Sequence, residues 1–203
     1  MQINIEKKAG ILTGVIAVLI GVIIFLMGTQ NSSSGLFGMN HSAMDGENNS
    51  TNSSLIGSDA MFFEMMIPHH QQAVTMASFV AGKTTKQDIL DLASQIKVAQ
   101  EPEINELINW LETSGAGLGN GDHSMHMDGM LTEEQLTALE NASGTEFDQL
   151  FLKDMIAHHE GAITMTQDLV ANSSNPEVAA LAADIIENQT AEIAYMKELL
   201  STY

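Results

Sequence analysis

Cysteine and arginine are both absent from the 203 residues. Without cysteine there are no disulfides, no thiolate metal sites and no thiol for a lipid. Seven lysines face 26 acidic residues, for a formal net charge of -19. Nucleic-acid binding requires cations that neutralise phosphates, so that class is excluded on charge. Aromatic residues make up only 5% of the chain, and there are three prolines. No nucleophile–base pair, phosphate-binding loop or nameable substrate pocket stands out, and an enzyme is not expected. What the chain has instead is 14 methionines and seven histidines.

The N-terminal region carries a simple physical signal. Residues 1–8 form a short cytoplasmic N-terminus. Ala9 to Gly28 is a 20-residue uncharged stretch rich in Ile, Val and Leu. As a helix it spans a bilayer core of about 30 Å. Lys7 and Lys8 before it keep the N-terminus inside the cell, so the remainder lies outside. A cleaved signal segment is the rival reading, and it would release a secreted protein. An A-x-A-like cleavage site after Gly28 is lacking. Residues 29–57, rich in Asn, Ser and Gly, read as a flexible linker.

An internal repeat organises the rest. Shifted by 89 residues, Asp59–Ala77 lies over Asp148–Thr166 with nine of 19 positions identical, among them Phe62/Phe151, Met66/Met155, His69/His158, His70/His159, Ala73/Ala162 and Met76/Met165. The same shift places Gln100, Glu103 and Ile104 over Gln189, Glu192 and Ile193. Helices are predicted near 58–82, 86–112, 145–172 and 176–202, with Ser58 and Thr145 as N-caps and Pro176 opening the last. The fold class is therefore all-α. The domain, residues 58–202, is a four-helix bundle of two duplicated αα-hairpins, repeats 58–112 and 145–202, preceded by the N-terminal transmembrane helix. A glycine-bearing, Met/His-rich loop at 113–130 joins them. Pro68 and Pro102 have no proline counterparts in the second repeat and predict local kinks.

Met66, His69, Ala73 and Met76 recur at +3, +4, +3 and so form one helical stripe, repeated by Met155, His158, Ala162 and Met165. Successive residues project about 100° apart. One histidine of each doublet is thus expected to face the bundle interior and the other a helix seam or water. Thioether sulfur favours Cu(I), and imidazole suits copper, zinc, nickel and iron. Copper is the expected ion, with Cu(I) favoured, Cu(II) the alternative and zinc less favoured. Calcium or magnesium sites would not use methionine, and the Glu-x-x-His pair of a di-iron bundle is missing. Against this stands core packing: methionine at helical spacing commonly fills a core. Asp59 and Asp148, near the helix starts, are also explained as first-turn charges. The histidine doublets resist that explanation, because buried polar groups need partners. Two glycine-rich segments repeat a His-Ser…Met-Asp-Gly pattern. His41 and Met44 lie in the first, and His123, Met125, His126 and Met127 in the second. Both read as exposed metal-capturing stretches.

The pattern Asp59-x-x-Phe62-x-x-x-Met66-x-x-His69-His70-x-x-Ala73-x-x-Met76, with its copy from Asp148 to Met165, resembles the domain-of-unknown-function family 305. That resemblance implies a ferritin-like four-helix architecture and kinship with CopM-like periplasmic or secreted copper-binding proteins. It makes the two Met–His–His–Met sets candidate ligands. The leading expectation is a membrane-tethered protein that captures copper outside the membrane, for tolerance or delivery, with any metal-exchanging partner protein unknown. A structural or interaction module without metal is the alternative.

Overall fold

The computed structural model describes residues 57–115 and 127–203. The apolar stretch 9–28 and most of the linker lie outside them, as do His41, Met44, His123, Met125 and His126. Among the described residues no helix is long and apolar enough to cross a membrane.

All regular structure in the described residues is helical: α1 (Gly57–Phe79), α2 (Gln87–Ser114), α3 (Glu133–Asn141), α4 (Gly144–Asn172) and α5 (Pro176–Leu200). The two expected hairpins are α1–α2 and α4–α5, and they join through α1 and α4. Two apolar clusters show how. Ala73, Met76 and Ala77 of α1 pack with Phe147, Phe151, Leu152 and Met155 of α4. Phe62, Phe63 and Met66 pack with Ala162 and Leu169. The end of α1 thus meets the start of α4 and the reverse, so the two helices run antiparallel. This is the pairing a duplicated hairpin makes about a pseudo-two-fold axis.

Several boundaries differ from the expected ones. Helix α1 ends at Phe79, three residues early, because the chain turns through Gly82 at φ 76°. Helix α2 runs on to Ser114 and stops at Gly115, also at φ 76°, where glycine tolerates the left-handed conformation. Ser58 and Thr145 are not N-caps. Each lies inside its helix, and Ser143 precedes α4 without a side-chain cap. Asn175 does cap α5, its side chain accepting from the Glu177 and Val178 amides, with Pro176 at the first turn. Neither proline breaks its helix: α1 continues through Pro68 and α2 through Pro102.

Helix α3 was not expected. Thr132 and Gln135 form a reciprocal capping box, each side chain bonded to the other's backbone N–H. Leu131, Leu139 and Ala142 then bury in the cluster at the α1–α4 interface. The chain entering α3 is held tightly. Gln72 of α1 donates to the Leu131 carbonyl at 3.0 Å and accepts from the Leu131 amide at 2.8 Å. Asp128 and Gly129 cross α4 at Gly161, where the backbones approach so closely that no side chain fits.

At the far end, the Tyr203 hydroxyl donates to Asp148 at 2.8 Å and Lys86 sits 3.7 Å over its ring. The Gly144 amide donates to the Lys83 carbonyl at 2.7 Å. The Lys86–Tyr203 and Gly144–Lys83 contacts tie one hairpin to the other, while the Tyr203–Asp148 bond closes the second. Asp148 is therefore a buried hydrogen-bond acceptor rather than a first-turn charge.

Gly161→Ala should push a methyl group into the Asp128 carbonyl. A loss of about 1–3 kcal/mol of stability is expected from such overpacking, read as a lowered midpoint in thermal or denaturant unfolding.

Candidate metal centre

The four bundle histidines lie at mid-length of α1 and α4, and all four are buried. One histidine of each doublet faces the bundle interior and the other a helix seam, as expected, and none faces water. Because adjacent helical residues project about 100° apart, the two members of each doublet serve two different interfaces, both internal. His69 and His158 turn toward each other across the α1–α4 crossing, ring centroids 3.8 Å apart at 42°. His70 and His159 turn into their own hairpins. His70 Nε2 lies 2.8 Å from Glu103 of α2, and His159 Nε2 lies 2.7 Å from Glu192 of α5. Both pairs span 33 residues, so the duplication preserves the contact.

These partners fix the tautomers. A carboxylate only accepts, so His70 and His159 carry their protons on Nε2 and donate. His69 Nε2 lies 3.2 Å from the Asp128 carbonyl, which also only accepts. The Nδ1 atom of His69, whose ring burial keeps neutral, is thereby left as a lone pair. It has no hydrogen-bond partner, nor do the Nδ1 atoms of His70 and His159 or either nitrogen of His158. Leaving such a buried group unsatisfied costs about 1–3 kcal/mol. Of these rings, His69 and His158 are in contact and the His158 centroid lies 6.2 Å from that of His159, so at least three imidazoles with unpartnered nitrogen adjoin one another. The carboxylate–histidine pairs are the arrangement that orients imidazole ligands from behind.

Electrostatics keep the central pair neutral. Burial lowers His69 to about 3, with neighbouring His70 and His159 adding to the shift and the Asp128 carbonyl opposing it. Burial also holds His158 well below its ordinary value, helped by His69, His159 and His70. The His69 carbonyl opposes that shift weakly, though it makes no hydrogen bond of good geometry. Nearby, burial raises Glu106 and Asp184, and Glu103 adds to both.

The methionines flank the histidines in matched pairs. Met66 and half-buried Met165 belong to one apolar cluster, Met76 and Met155 to the other. The stripe reading therefore holds for position, and these thioethers also fill the core. Met127, half-buried, precedes the Asp128 that touches His69. Among the described residues no group of three or more His, Asp or Glu side chains is arranged to hold a metal ion. A site here would draw on imidazole nitrogen and thioether sulfur.

Glu103 and Glu192 were missed as site residues. Their signal was present, since the 89-residue shift superposes them as it does the histidines. The Asp128 carbonyl and the Gln72 clamp carried no such signal, because neither depends on a repeated side chain.

The family model for a domain of unknown function, DUF305, matches residues 59–200. The chain belongs to this family. A DUF305 fragment from Deinococcus radiodurans superposes with a TM-score of 0.67 at 27% identity, covering 73% of this chain and 98% of that one. CopM in its Cu(I)-bound form is 34% identical, with a TM-score of 0.61, covering 71% of this chain and 96% of CopM. CopM in a silver-bound form gives 0.60 at 33% identity, covering 71% and 96%. Uncharacterized protein L153 of Acanthamoeba polyphaga mimivirus is 37% identical over 54 residues, 27% of this chain and 36% of that protein. The chain thus spans about a third of that curated relative. The DUF305 match covers both repeats and all four buried histidines.

The depressed histidines predict a pH dependence for the metal-free protein. An unfolded histidine takes up its proton near 6.5, whereas folded His69 and His158 resist it. Stability is full above pH 6.5 and falls as pH drops below it. The expected slope from pH 6.5 to 5.5 approaches about 1.4 kcal/mol per pH unit per histidine. Denaturant unfolding across that range should show it, and His69→Gln with His158→Gln should flatten it.

Proposed function

We propose that this protein binds copper outside the cytoplasm by histidine and methionine coordination, in capture, tolerance or delivery. The observation that carries this reading is the set of five buried, unpartnered imidazole nitrogens on four histidines. The neutrality of His69 and His158 leaves lone pairs free for a metal, and the flanking thioethers favour the soft Cu(I) state over zinc. Cu(II) remains the alternative oxidation state. Relatives solved with Cu(I), Cu(II) and silver support the choice of ion. His69 and His158 would be the central ligands. His70 and His159 would be oriented by Glu103 and Glu192, with Met66, Met76, Met155 and Met165 completing the set. The role is coordination rather than catalysis, and the ion is cargo that a partner protein would deliver or receive.

The location follows from the uncharged stretch at 9–28, read as an anchor with the bundle outside, or as a cleaved segment releasing it. A Streptomyces coelicolor family protein named as a candidate secreted protein is in keeping with that placement. The glycine-rich segments with His41, Met44, His123, Met125, His126 and Met127 would collect ions for the bundle. The surplus of acidic residues raises the local cation concentration.

A second reading has an observation of its own. The His70–Glu103 and His159–Glu192 bonds satisfy two histidines without any metal, as in a purely structural core. Titrating the full chain with Cu(I) against a competing chelator, with Zn(II) as control, separates the two. Selective Cu(I) binding that weakens by about a hundredfold or more in the His69→Gln/His158→Gln variant is expected. Unchanged affinity in that variant would sink the site, and no binding by the native chain would favour the interaction module.

The carboxylates give a separate test. Glu103→Gln with Glu192→Gln should weaken Cu(I) binding by roughly 10–100-fold, because glutamine no longer orients the His70 and His159 rings as the carboxylates do. Helix content by circular dichroism should stay near native.

A further inference from the structure

We propose that Met61 and Met65 form a one-sided thioether path along α1, by which a soft monovalent ion reaches His69 from solvent. This inference rests on the metal-binding reading and extends it to a route.

Met61, Met65 and His69 stand at i, i+4 and i+8 on one ridge of α1. Side chains four apart are neighbours, about 5–6 Å between Cβ atoms. Burial rises steadily along the ridge: Met61 is 54% exposed, Met65 is half-buried and His69 is fully buried. Core packing does not explain Met61. Among the described residues, only Val98 and Val170 are comparably exposed large apolar side chains. The repeat does not explain it either. The 89-residue shift places Leu150 and Asp154 over Met61 and Met65, so the bundle architecture does not require sulfur at these positions. The conserved stripe, by contrast, keeps Met66 with Met155 and Met76 with Met165. Sulfur stands at these positions in the first repeat only. The path ends at the ring that carries an unpartnered Nδ1 on one side and the Asp128 carbonyl on the other.

The chemistry is ligand exchange. An ion bound to the Met61 thioether gains a lone pair from Met65 and then loses the first bond. It next gains the His69 Nδ1 lone pair and loses that of Met65. No electron moves, and no proton must leave, because Nδ1 is already unprotonated in the tautomer the structure holds. Cu(I) and Ag(I) both suit this sequence of soft and borderline donors.

The test compares the full chain with its Met61→Leu/Met65→Leu variant, using Ag(I) as a soft monovalent probe. Leucine keeps volume and apolarity and removes only the sulfur. Stopped-flow uptake of Ag(I) should slow by about tenfold in the variant, while equilibrium affinity and helix content stay unchanged. In the native chain, the labelled Cε-methyl signals of Met61 and Met65 should shift at the lowest Ag(I) additions. An unchanged uptake rate would overturn the path while leaving the histidine site standing. A loss of affinity as large as the loss of rate would also overturn it, since the two methionines would then be permanent ligands. No Ag(I) or Cu(I) uptake by the native chain would remove the metal-binding reading and the path together.

Discussion

The apposition of two neutral histidines where α1 crosses α4 sets the terms for the rest of the domain. A pair of imidazole rings 3.8 Å apart in a buried interface would be repulsive if protonated, and burial prevents that. The surrounding parts then fall into place around a polar layer in an apolar bundle. Phenylalanine- and methionine-rich clusters seal it at either end of the crossing. Glu103 and Glu192 hold the adjacent rings from within each hairpin, and the turn at Asp128–Gly129 lies across the outer face. Each contact fixes a ring without occupying its inner nitrogen. A structure selected only for stability would more simply place leucine there, because unpartnered buried nitrogen is costly.

Duplication explains the economy of the arrangement. One hairpin supplies a histidine doublet, a carboxylate and two thioethers, and its copy supplies the same set from the opposite direction. Antiparallel packing of α1 on α4 then brings the two sets together without any further invention. Departures from that symmetry are concentrated near the crossing. The turn before α3 contacts both halves but, of the two central histidines, bonds only His69, leaving both nitrogens of His158 without a partner. Gly161 in the second repeat makes room for the turn, while Gln72, its counterpart in the first, clamps it. The same position thus serves the same turn through opposite properties, one by having no side chain and the other by having a bidentate amide.

Much of this was legible in the chain. The 89-residue repeat, the helical spacing of Met66, His69, Ala73 and Met76, and the Asn175-Pro176 start of α5 are local or periodic signals, and the fold respects them. The same repeat held Glu103 over Glu192, although a carboxylate pair on a charged helix surface carries no mark of being buried. The Thr132–Gln135 capping box was also written in the sequence, but the nine-residue helix it opens gains its stability from burying Leu139 beneath it. Pro68 and Pro102 lie within continuous helices, since packing along a long helix outweighs one missing backbone bond.

What the sequence by itself determined is the class of the protein: all-helical, duplicated, without thiols, acidic, and with histidine and methionine as its only soft or borderline donors. Residue type and periodicity suffice for that, because each is a property of the chain alone. Only the tertiary structure decided which histidines meet. Adjacent residues 100° apart could as well have sent one ring to water; the antiparallel crossing of α1 and α4 buried His69 and His158, and the packing of α2 and α5 buried His70 and His159. The tautomers were decided there too, since a ring nitrogen becomes a donor or a lone pair according to the carbonyl or carboxylate that distant segments of the chain bring to it.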